Sequence, residues 1–289
     1  MRHPGRFRCK VRIRGSTCVA SPKAERRKMQ RVFTAVESFT CYTLVMTENE
    51  HCTSIKQVLR REGRVDILFD ASRLPQITEQ QFSPSGYADA RSVSGQGGRG
   101  SAWFVQAQAG CAVLKHYRRG GLLAKWVSDS YIYSGLARSR GFREFRLLQA
   151  LTAKSLPVPA PLAAFCRRGL VTYQAGLLTE RLLDTHSLVA AVRNSSAPWS
   201  AIGETVARFH RAGAHHGDLN ANNILLDDHG GVFIIDWDKS VLENAPDTWC
   251  GKVLDRLQRS LLKECQGSGL PALQDGIAQL RSAYHKAMP

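Results

Sequence analysis

The chain has 289 residues, 43% of them hydrophobic, which is enough for one large domain or two lobes with a real core. Its formal net charge of +16 predicts an acidic partner: a nucleic acid, an anionic lipid or a phosphorylated substrate. We expect no membrane-spanning helix, because no run of eighteen apolar residues occurs. We also expect reduced thiols rather than a zinc site, because none of the eight cysteines forms a C-x-x-C pair.

Residues 1–64 carry a large share of this charge, with fifteen Lys or Arg against five Asp or Glu. Such a composition fits a basic arm for nucleic acid or anionic lipid, or a transit peptide, but it lacks the apolar stretch of a secretory signal. No interleaved aromatic residues or recognisable module accompany the charge. We therefore favour a disordered extension or a start assigned too early, with translation beginning near Met46, and we expect no nucleic-acid partner.

Short strands and a Gly-rich turn follow from residue 65. Residues 65–69 have the pattern of an edge strand, and further strands are predicted at residues 102–105 and 111–115. Strands around a Gly-rich turn form the hairpin that covers the nucleotide in kinases, where backbone N–H groups point at the phosphate oxygens. The alternative is a flexible surface hairpin. The turn contains four candidate nucleotide-binding glycines: Gly95, Gly97, Gly98 and Gly100.

Lys115 ends the last of these strands, where kinases place a Lys that contacts the α- and β-phosphates of ATP. A Glu on the next helix holds that Lys in place. Asp129 and Glu144 are the two acids between Lys115 and Glu180. Residues 141–151 have apolar side chains at helical spacing, with Glu144 off the apolar face. We therefore favour Glu144 as the partner of Lys115 over a solvated surface Glu.

Basic and aromatic residues alternate in residues 117–126 and again in residues 131–146. This pattern suits an anionic membrane surface or an anionic glycolipid substrate, and it makes Arg118 and Arg119 candidate substrate contacts. The alternative is a helical insertion that packs its aromatic side chains inward.

A strand is predicted at residues 175–182, ending in a hinge between two lobes. Backbone groups near Glu180 would bind the adenine edge there, although a plain core strand is the alternative. Residues 200–212 predict an amphipathic helix that leads to His216.

The most informative stretch runs from His216 to Asp238. Asp218 is followed five residues later by Asn223, and a turn between two apolar runs precedes Asp236. This order predicts a β-hairpin with oxygen-bearing side chains gathered at one end. Asn223 and Asp236 would hold Mg²⁺, and Asp218 would accept a proton from, or orient, the substrate hydroxyl. Asp238 remains a second metal ligand, an ion-pair partner or a substrate contact.

These motifs follow the order found in protein-kinase-like phosphotransferases, which use ATP and Mg²⁺. No A-P-E motif follows Asp236, which favours a small-molecule kinase over a protein kinase. We predict an α+β, two-lobed protein-kinase-like fold. Residues 65–182 would form a small antiparallel β lobe with the hinge, and residues 183–289 a mainly helical lobe with the catalytic loop.

Beyond this general pattern, the chain resembles the 3-deoxy-D-manno-octulosonic acid (Kdo) kinases, a branch of the lipopolysaccharide kinases of Gram-negative bacteria. The resemblance runs from about residue 65 to the C-terminus. Its most specific part is the Tyr-Arg-Arg-Gly-Gly block at residues 117–121, which is not a general kinase feature. Further matches lie at residues 98–100, 114–122, 142–145, 157–159, 178–180, 216–226 and 236–239, and at Arg256, Arg259, Ser260 and Lys263.

The resemblance implies ATP-dependent phosphorylation of the Kdo 4-hydroxyl on a lipid A precursor, with Asp218 as the catalytic position. It also implies a peripheral protein at the cytoplasmic face of the inner membrane. Two positions depart from the family pattern, because relatives often have Arg where Lys115 stands and usually His where Asn222 stands. The oligomeric state is left open.

Two other functions fit parts of the sequence. An aminoglycoside- or choline-kinase-like enzyme also carries His-Gly-Asp-Leu-Asn and Ile-Asp-Trp-Asp. The other is a pseudokinase or scaffold that binds lipopolysaccharide intermediates through a basic helix. The intact Asp218, Asn223 and Asp236 favour an enzyme.

Overall fold

The computed structural model describes residues 56–93, 102–117, 131–243, 249–266 and 270–288. The first part of the described chain is mainly strands, with one long helix, α1 (Arg140–Ala153). Short 3₁₀ turns occur at Glu79–Phe82, Pro84–Gly86 and Leu136–Arg138. The strands are β1 (Gln57–Glu62), β2 (Val65–Asp70), β3 (Arg91–Ser92), β4 (Ala102–Ala107), β5 (Gly110–His116), β6 (Tyr131–Ile132), β7 (Pro161–Arg168) and β8 (Thr172–Glu180).

These eight strands form one antiparallel sheet in the order β1-β2-β7-β8-β5-β4-β3, and β6 pairs with β8. The strands predicted at residues 102–105 and 111–115 are present as β4 and β5. Strand β3 pairs with β4, with Arg91 opposite Phe104, so antiparallel strands flank the Gly-rich segment. Lys115 lies near the end of β5, opposite Leu177 of the neighbouring strand β8.

Two expectations about the start of the sheet are wrong. Residues 65–69 were expected to be an edge strand, but β2 lies between β1 and β7 and all six of its residues are buried. The folded part also begins before residue 65, because β1 lies within the segment expected to be an extension. The last four residues of β1 are exposed and three of them are charged, so this strand lacks the apolar alternation that marks a strand in sequence.

The helix α1 packs against β7 and β8. Its buried side chains include Phe142, Phe145, Leu148 and Leu151, as the helical spacing predicts. A Cβ on Gly141 would lie 2.7 Å from the carbonyl oxygen of Gly176, so a larger residue would force the helix away from β8. The opposite face of the sheet is covered by a second apolar cluster that contains Ile77 and Phe82. Both faces are therefore packed.

The second part of the described chain is mainly helical. Helix α3 (Trp199–Arg211) buries Ile202, Val206 and Phe209, as predicted, and packs against α5 (Leu270–Ala287). Strands β11 (Ile224–Asp227) and β12 (Val232–Ile234) form the predicted hairpin, and β9 (Thr185–Ser187) pairs with β11. Along the described ranges, no helix is both long and apolar enough to cross a membrane. The elements are β9 (Thr185–Ser187), α2 (Leu188–Arg193), α3 (Trp199–Arg211), β10 (Ala214–His215), β11 (Ile224–Asp227), β12 (Val232–Ile234), β13 (Val241–Leu242), α4 (Cys250–Glu264) and α5 (Leu270–Ala287).

A strand-rich part with one packed helix, followed by a mainly helical part that carries a β-hairpin, is the α+β, protein-kinase-like fold expected from the sequence. The site residues lie on β5, on α1 and in the loops around the β11–β12 hairpin.

One buried histidine of α3 makes the stability of this fold depend on pH. His210 is 1% exposed, and its Nδ1 lies 2.8 Å from the hydroxyl of Tyr284 on α5. Burial lowers the pKa of His210 from 6.5 to about 4, and His215 and His216 contribute in the same direction. Because the unfolded chain binds this proton more readily, the stability contributed by His210 is complete above pH 6.5 and is lost as the pH falls toward 4.

In wild type, proton uptake by His210 should lower the free energy of unfolding by about 3 kcal/mol between pH 6.5 and pH 4, and we expect His210→Gln to abolish this contribution. Urea unfolding above pH 6.5 and near pH 4 measures it for both proteins. The same loss in wild type and variant would contradict this role of His210.

Candidate active site

Lys115 on β5 contacts two carboxylates of the site, one on helix α1 and one after strand β12. Its Nζ lies 3.0 Å from Oε2 of Glu144 on α1 and 2.5 Å from Oδ1 of Asp236, which follows β12. The predicted ion pair between Lys115 and Glu144 is therefore confirmed. The expectation that Glu144 lies off the buried face of its helix is wrong, because α1 turns this carboxylate inward and leaves its side chain 3% exposed.

The buried Glu144 carboxylate is held by two more donors. The hydroxyl of Tyr117 donates to Oε2 at 2.6 Å, and the backbone N–H of Trp237 donates to Oε1 at 3.2 Å. Burial, together with the charge of Glu144, holds the pKa of Tyr117 well above its usual value, so the hydroxyl keeps the proton that it donates. A carboxylate with a cation and two hydrogen-bond donors is fixed in place, and it fixes Lys115 in turn.

The charges of Lys115 and Asp236 stabilise each other. Burial alone would lower the pKa of Lys115, but Glu144 and Asp236 hold it above its usual value. Burial alone would raise the pKa of Asp236, but Lys115 holds it below its usual value. Asp236 also has a φ of +63°, a left-handed conformation that is uncommon for a residue other than Gly. Such backbone strain concentrates at functional sites.

The loop that carries Asp218 is fixed by His216. The Nε2 of His216 donates to the carbonyl oxygen of Ile235 at 3.0 Å, and its Nδ1 accepts from the N–H of Asp218 at 3.1 Å. These bonds need a neutral imidazole, and burial accordingly lowers the pKa of His216. A Cβ on Gly217 would collide with the carbonyl oxygen of Lys239. The His-Gly-Asp order thus lets the loop lie directly against the segment after β12.

Asn223 is tied to the same loop. Its Nδ2 donates to the carbonyl oxygen of Asp218 at 3.0 Å, and its main-chain carbonyl oxygen accepts from the N–H of Ile235 at 3.0 Å. The Oδ1 of Asn223 has no hydrogen bond within the described residues, so it remains an oxygen ligand for a cation. Such oxygens, together with those of Asp236, suit Mg²⁺. Among the described residues, no group of three or more His, Cys, Asp or Glu side chains is placed to hold a metal ion.

Two arginines that the sequence analysis did not assign to the site contact its carboxylates. Arg256 on α4 lies 2.8 Å from Oδ1 of Asp218. Arg140 on α1 lies 2.7 Å from Oδ1 of Asp238, which is 8% exposed. The ion-pair alternative for Asp238 is therefore confirmed, and the predicted substrate contact there stays a prediction. Arg140 and Asp238 are 98 residues apart, so no local pattern in the sequence indicates that they pair. For Arg256, the available signal was its match to the family pattern.

Two of the backbone N–H groups near Glu180 are engaged within the protein, and the binding of an adenine edge there stays a prediction. The N–H of Glu180 donates to the carbonyl oxygen of Ala160 at 2.9 Å, and the Glu180 side chain pairs with Arg73 at 3.0 Å. The N–H of Arg181 also bonds within the sheet, to the carbonyl oxygen of Cys111. The N–H of Leu182 has no partner in the described part of the chain and is free to bind an adenine edge. The other assigned contacts lie outside the described residues: Gly95, Gly97, Gly98, Gly100, Arg118 and Arg119.

A sheet-borne Lys paired with a helix Glu, beside a loop with Asp218, Asn223 and Asp236, is the arrangement of the protein-kinase-like phosphotransferases. The chain belongs to one family of this class, the lipopolysaccharide kinase (Kdo/WaaP) family, whose model matches residues 87–284.

Several curated proteins named 3-deoxy-D-manno-octulosonic acid kinase are similar to it. Those of Stenotrophomonas maltophilia (strain R551-3) and Xanthomonas euvesicatoria pv. vesicatoria (strain 85-10) are each 46% identical over 231 residues, which are 78% of this chain and 93% of the relative. That of Xanthomonas campestris pv. campestris (strain B100) is 48% identical over 207 residues, which are 70% of this chain and 83% of the relative.

Proposed function

We propose that this chain transfers the γ-phosphate of ATP to the 4-hydroxyl of Kdo on a lipid A precursor. The observation that carries this proposal is the convergence of Glu144 and Asp236 on Lys115 in a chain whose curated relatives are named for Kdo phosphorylation. The intact ion pair and catalytic loop are those of an enzyme, and they oppose the pseudokinase alternative.

In this reaction Asp218 acts on the acceptor. Its carboxylate accepts the proton of the attacking hydroxyl, whose oxygen forms a bond to the γ-phosphorus while the bond to ADP breaks. Lys115, held by Glu144, neutralises charge on the α- and β-phosphates. Asn223 and Asp236 would hold Mg²⁺, which supplies further neutralisation of phosphate charge. The remaining work of the chain is alignment of donor and acceptor.

A transfer assay with radiolabelled ATP tests this proposal. The purified chain receives Kdo–lipid IVA, lipid IVA without Kdo, or a free aminoglycoside, and choline is tested in parallel. We expect label on Kdo–lipid IVA alone. Label on an aminoglycoside or on choline, and not on the Kdo acceptor, would contradict the proposed acceptor and favour the alternative kinase class.

The second part of the proposal is that the protein acts at the cytoplasmic face of the inner membrane as a peripheral protein. Three large apolar side chains support it, because Ile132 is 73% exposed, Leu170 91% and Val171 74%. They lie together, since Ile132 pairs with Thr172 and the N–H of Tyr133 bonds to the carbonyl oxygen of Val171. Arginines line the adjacent surface: Arg64, Arg167 and Arg168. An apolar tip flanked by cations suits an anionic bilayer.

We expect the double variant Leu170→Ser/Val171→Ser to bind vesicles that contain phosphatidylglycerol at least about tenfold more weakly than wild type, because two side chains no longer enter the bilayer. Vesicle co-sedimentation measures the change. Leu242→Ser is the matched control, since Leu242 is also exposed, at 42%, but lies on β13. Equal binding by wild type and the double variant would remove this hairpin tip from the membrane contact.

A further inference from the structure

Four basic side chains form a row along one face of α4. Their positions are separated by four, three and four residues, which places them on the same face of a helix. All four are exposed, while the opposite face is buried against the core. The row therefore has a fixed position on the molecule. Its members are Lys252, Arg256, Arg259 and Lys263, and the buried residues opposite are Val253, Leu254, Leu257 and Leu261.

This basic row lies directly beside the catalytic loop. A guanidinium nitrogen of Arg256 lies 2.8 Å from Oδ1 of Asp218, and another donates to the carbonyl oxygen of Gly217 at 3.3 Å. One turn further along α4, the hydroxyl of Ser260 accepts from the N–H of Ala221 at 3.0 Å. Two separate contacts thus hold this face of α4 against the segment that contains Asp218.

Apart from Arg256, which pairs with Asp218, the side chains of the row keep an unneutralised charge among the described residues. Within the described ranges, Lys252, Arg259 and Lys263 make no ion pair. Asp255, which lies on the same helix, pairs with Arg281 of α5 at 3.0 Å. Like charges three and four residues apart on a helix repel one another. A ligand with several anionic groups would relieve that repulsion.

Arg256 has the chemistry to bind such a group. A guanidinium carries five N–H donors in one plane, and the contacts to Asp218 and Gly217 leave the other donors free among the described residues. Its planar fork matches a carboxylate or phosphate in two-point contact. An acceptor hydroxyl that reaches Asp218 brings the neighbouring substituents of its sugar ring next to Arg256.

We propose that the basic row on α4 is the acceptor-binding surface. Arg256 binds the carboxylate of the acidic sugar that receives the phosphate, and Lys252, Arg259 and Lys263 bind further anionic groups of the same acceptor. This inference rests on the proposed function, because it needs an acidic acceptor. It also gives a reason for selectivity: cationic acceptors such as aminoglycosides would be repelled where an anionic sugar is attracted.

Steady-state kinetics with two acceptors test the proposal. One acceptor is Kdo–lipid IVA, and the other is the same molecule with its Kdo carboxylate reduced to an alcohol. We expect Arg256→Gln to raise the acceptor KM about tenfold without changing the KM for ATP. Removing the carboxylate should raise the wild-type KM by a similar factor but leave that of Arg256→Gln nearly unchanged, because the two changes remove one interaction.

Two further variants complete the design. Arg259→Gln, whose side chain has no protein partner among the described residues, should raise the KM for both acceptors and leave the folded structure unaffected. Lys286→Gln is the control, because it removes one exposed positive charge from α5 instead. Its acceptor KM should equal that of wild type.

The possible results separate this inference from the proposed function. If wild type phosphorylates Kdo–lipid IVA while Arg256→Gln and Arg259→Gln keep its acceptor KM, the function stands and the basic row is not the acceptor surface. Arg256→Gln could instead lower kcat alone, while removal of the Kdo carboxylate still raises its acceptor KM as much as in wild type. That result would make Arg256 a positioning residue for Asp218 and overturn the proposal. No transfer by wild type to the Kdo acceptor would overturn both.

Discussion

Asp218→Asn should lower the rate of phosphoryl transfer by about 10²- to 10⁴-fold, the usual contribution of a general base. The amide cannot accept the proton of the acceptor hydroxyl, yet it matches the carboxylate in size. The backbone contacts of this position, to His216 and to the side chain of Asn223, do not involve the carboxylate and should persist. The affinity for ATP should therefore stay close to that of wild type.

Single-turnover transfer from labelled ATP and equilibrium binding of nucleotide measure the two parts of this result. Asp228→Asn is the matched control: the same change is made in the turn between β11 and β12, where the side chain of Asp228 is 79% exposed. The control should transfer phosphate at the wild-type rate. Retained transfer by Asp218→Asn would remove Asp218 from its assigned role, and loss of ATP binding would show that the variant disturbs the nucleotide site instead.

Lys115→Met should have two large effects. It leaves the Glu144 carboxylate, 3% exposed, without its cation, which should lower the free energy of unfolding by about 3 kcal/mol. It also removes the positive charge placed for the α- and β-phosphates, so ATP binding should fall below detection. Lys154→Met changes an exposed Lys at the end of α1 and should alter stability by no more than about 0.5 kcal/mol.

A double variant separates the two effects. Glu144→Gln keeps an oxygen that accepts from the N–H of Trp237 and gains an amide N–H that can donate to the hydroxyl oxygen of Tyr117, while the buried charge is removed. Lys115→Met/Glu144→Gln should therefore recover most of the lost stability while ATP binding stays absent. Urea unfolding and nucleotide binding measure the pair. Wild-type ATP affinity in either Lys115 variant would contradict the assignment of Lys115 to the phosphates.

The parts of the site that the sequence predicts are those with local spacing. Asp218, Asn223 and Asp236 surround one hairpin, so a turn between two apolar runs is enough to bring their segments together. The ion pair of Lys115 and Glu144 could be predicted because few acidic residues lie between β5 and β8 and Glu144 lies in a clear helical pattern. The α+β, protein-kinase-like fold follows from the change from short strands to helices along the chain.

The parts that sequence reasoning missed depend on tertiary packing. Glu144 was expected off the apolar face of its helix, but the positive charge of Lys115 makes the inward position favourable for a carboxylate. Nothing in the sequence indicates that Arg140 neutralises Asp238, because the two residues lie in separate parts of the fold. Strand β1 was missed because an exposed edge strand with several charges has no alternating pattern.

The structure of the product shows directly which hydroxyl of which molecule this chain phosphorylates. Kdo–lipid IVA is incubated with ATP and the purified chain, and the phosphorylated sugar is examined by ³¹P–¹H correlation NMR, with Asp218→Asn as the blank. We expect one new phosphate monoester, on the 4-hydroxyl of Kdo, formed by wild type and not by Asp218→Asn. A phosphate on another molecule, or the same product from Asp218→Asn, would contradict this expectation.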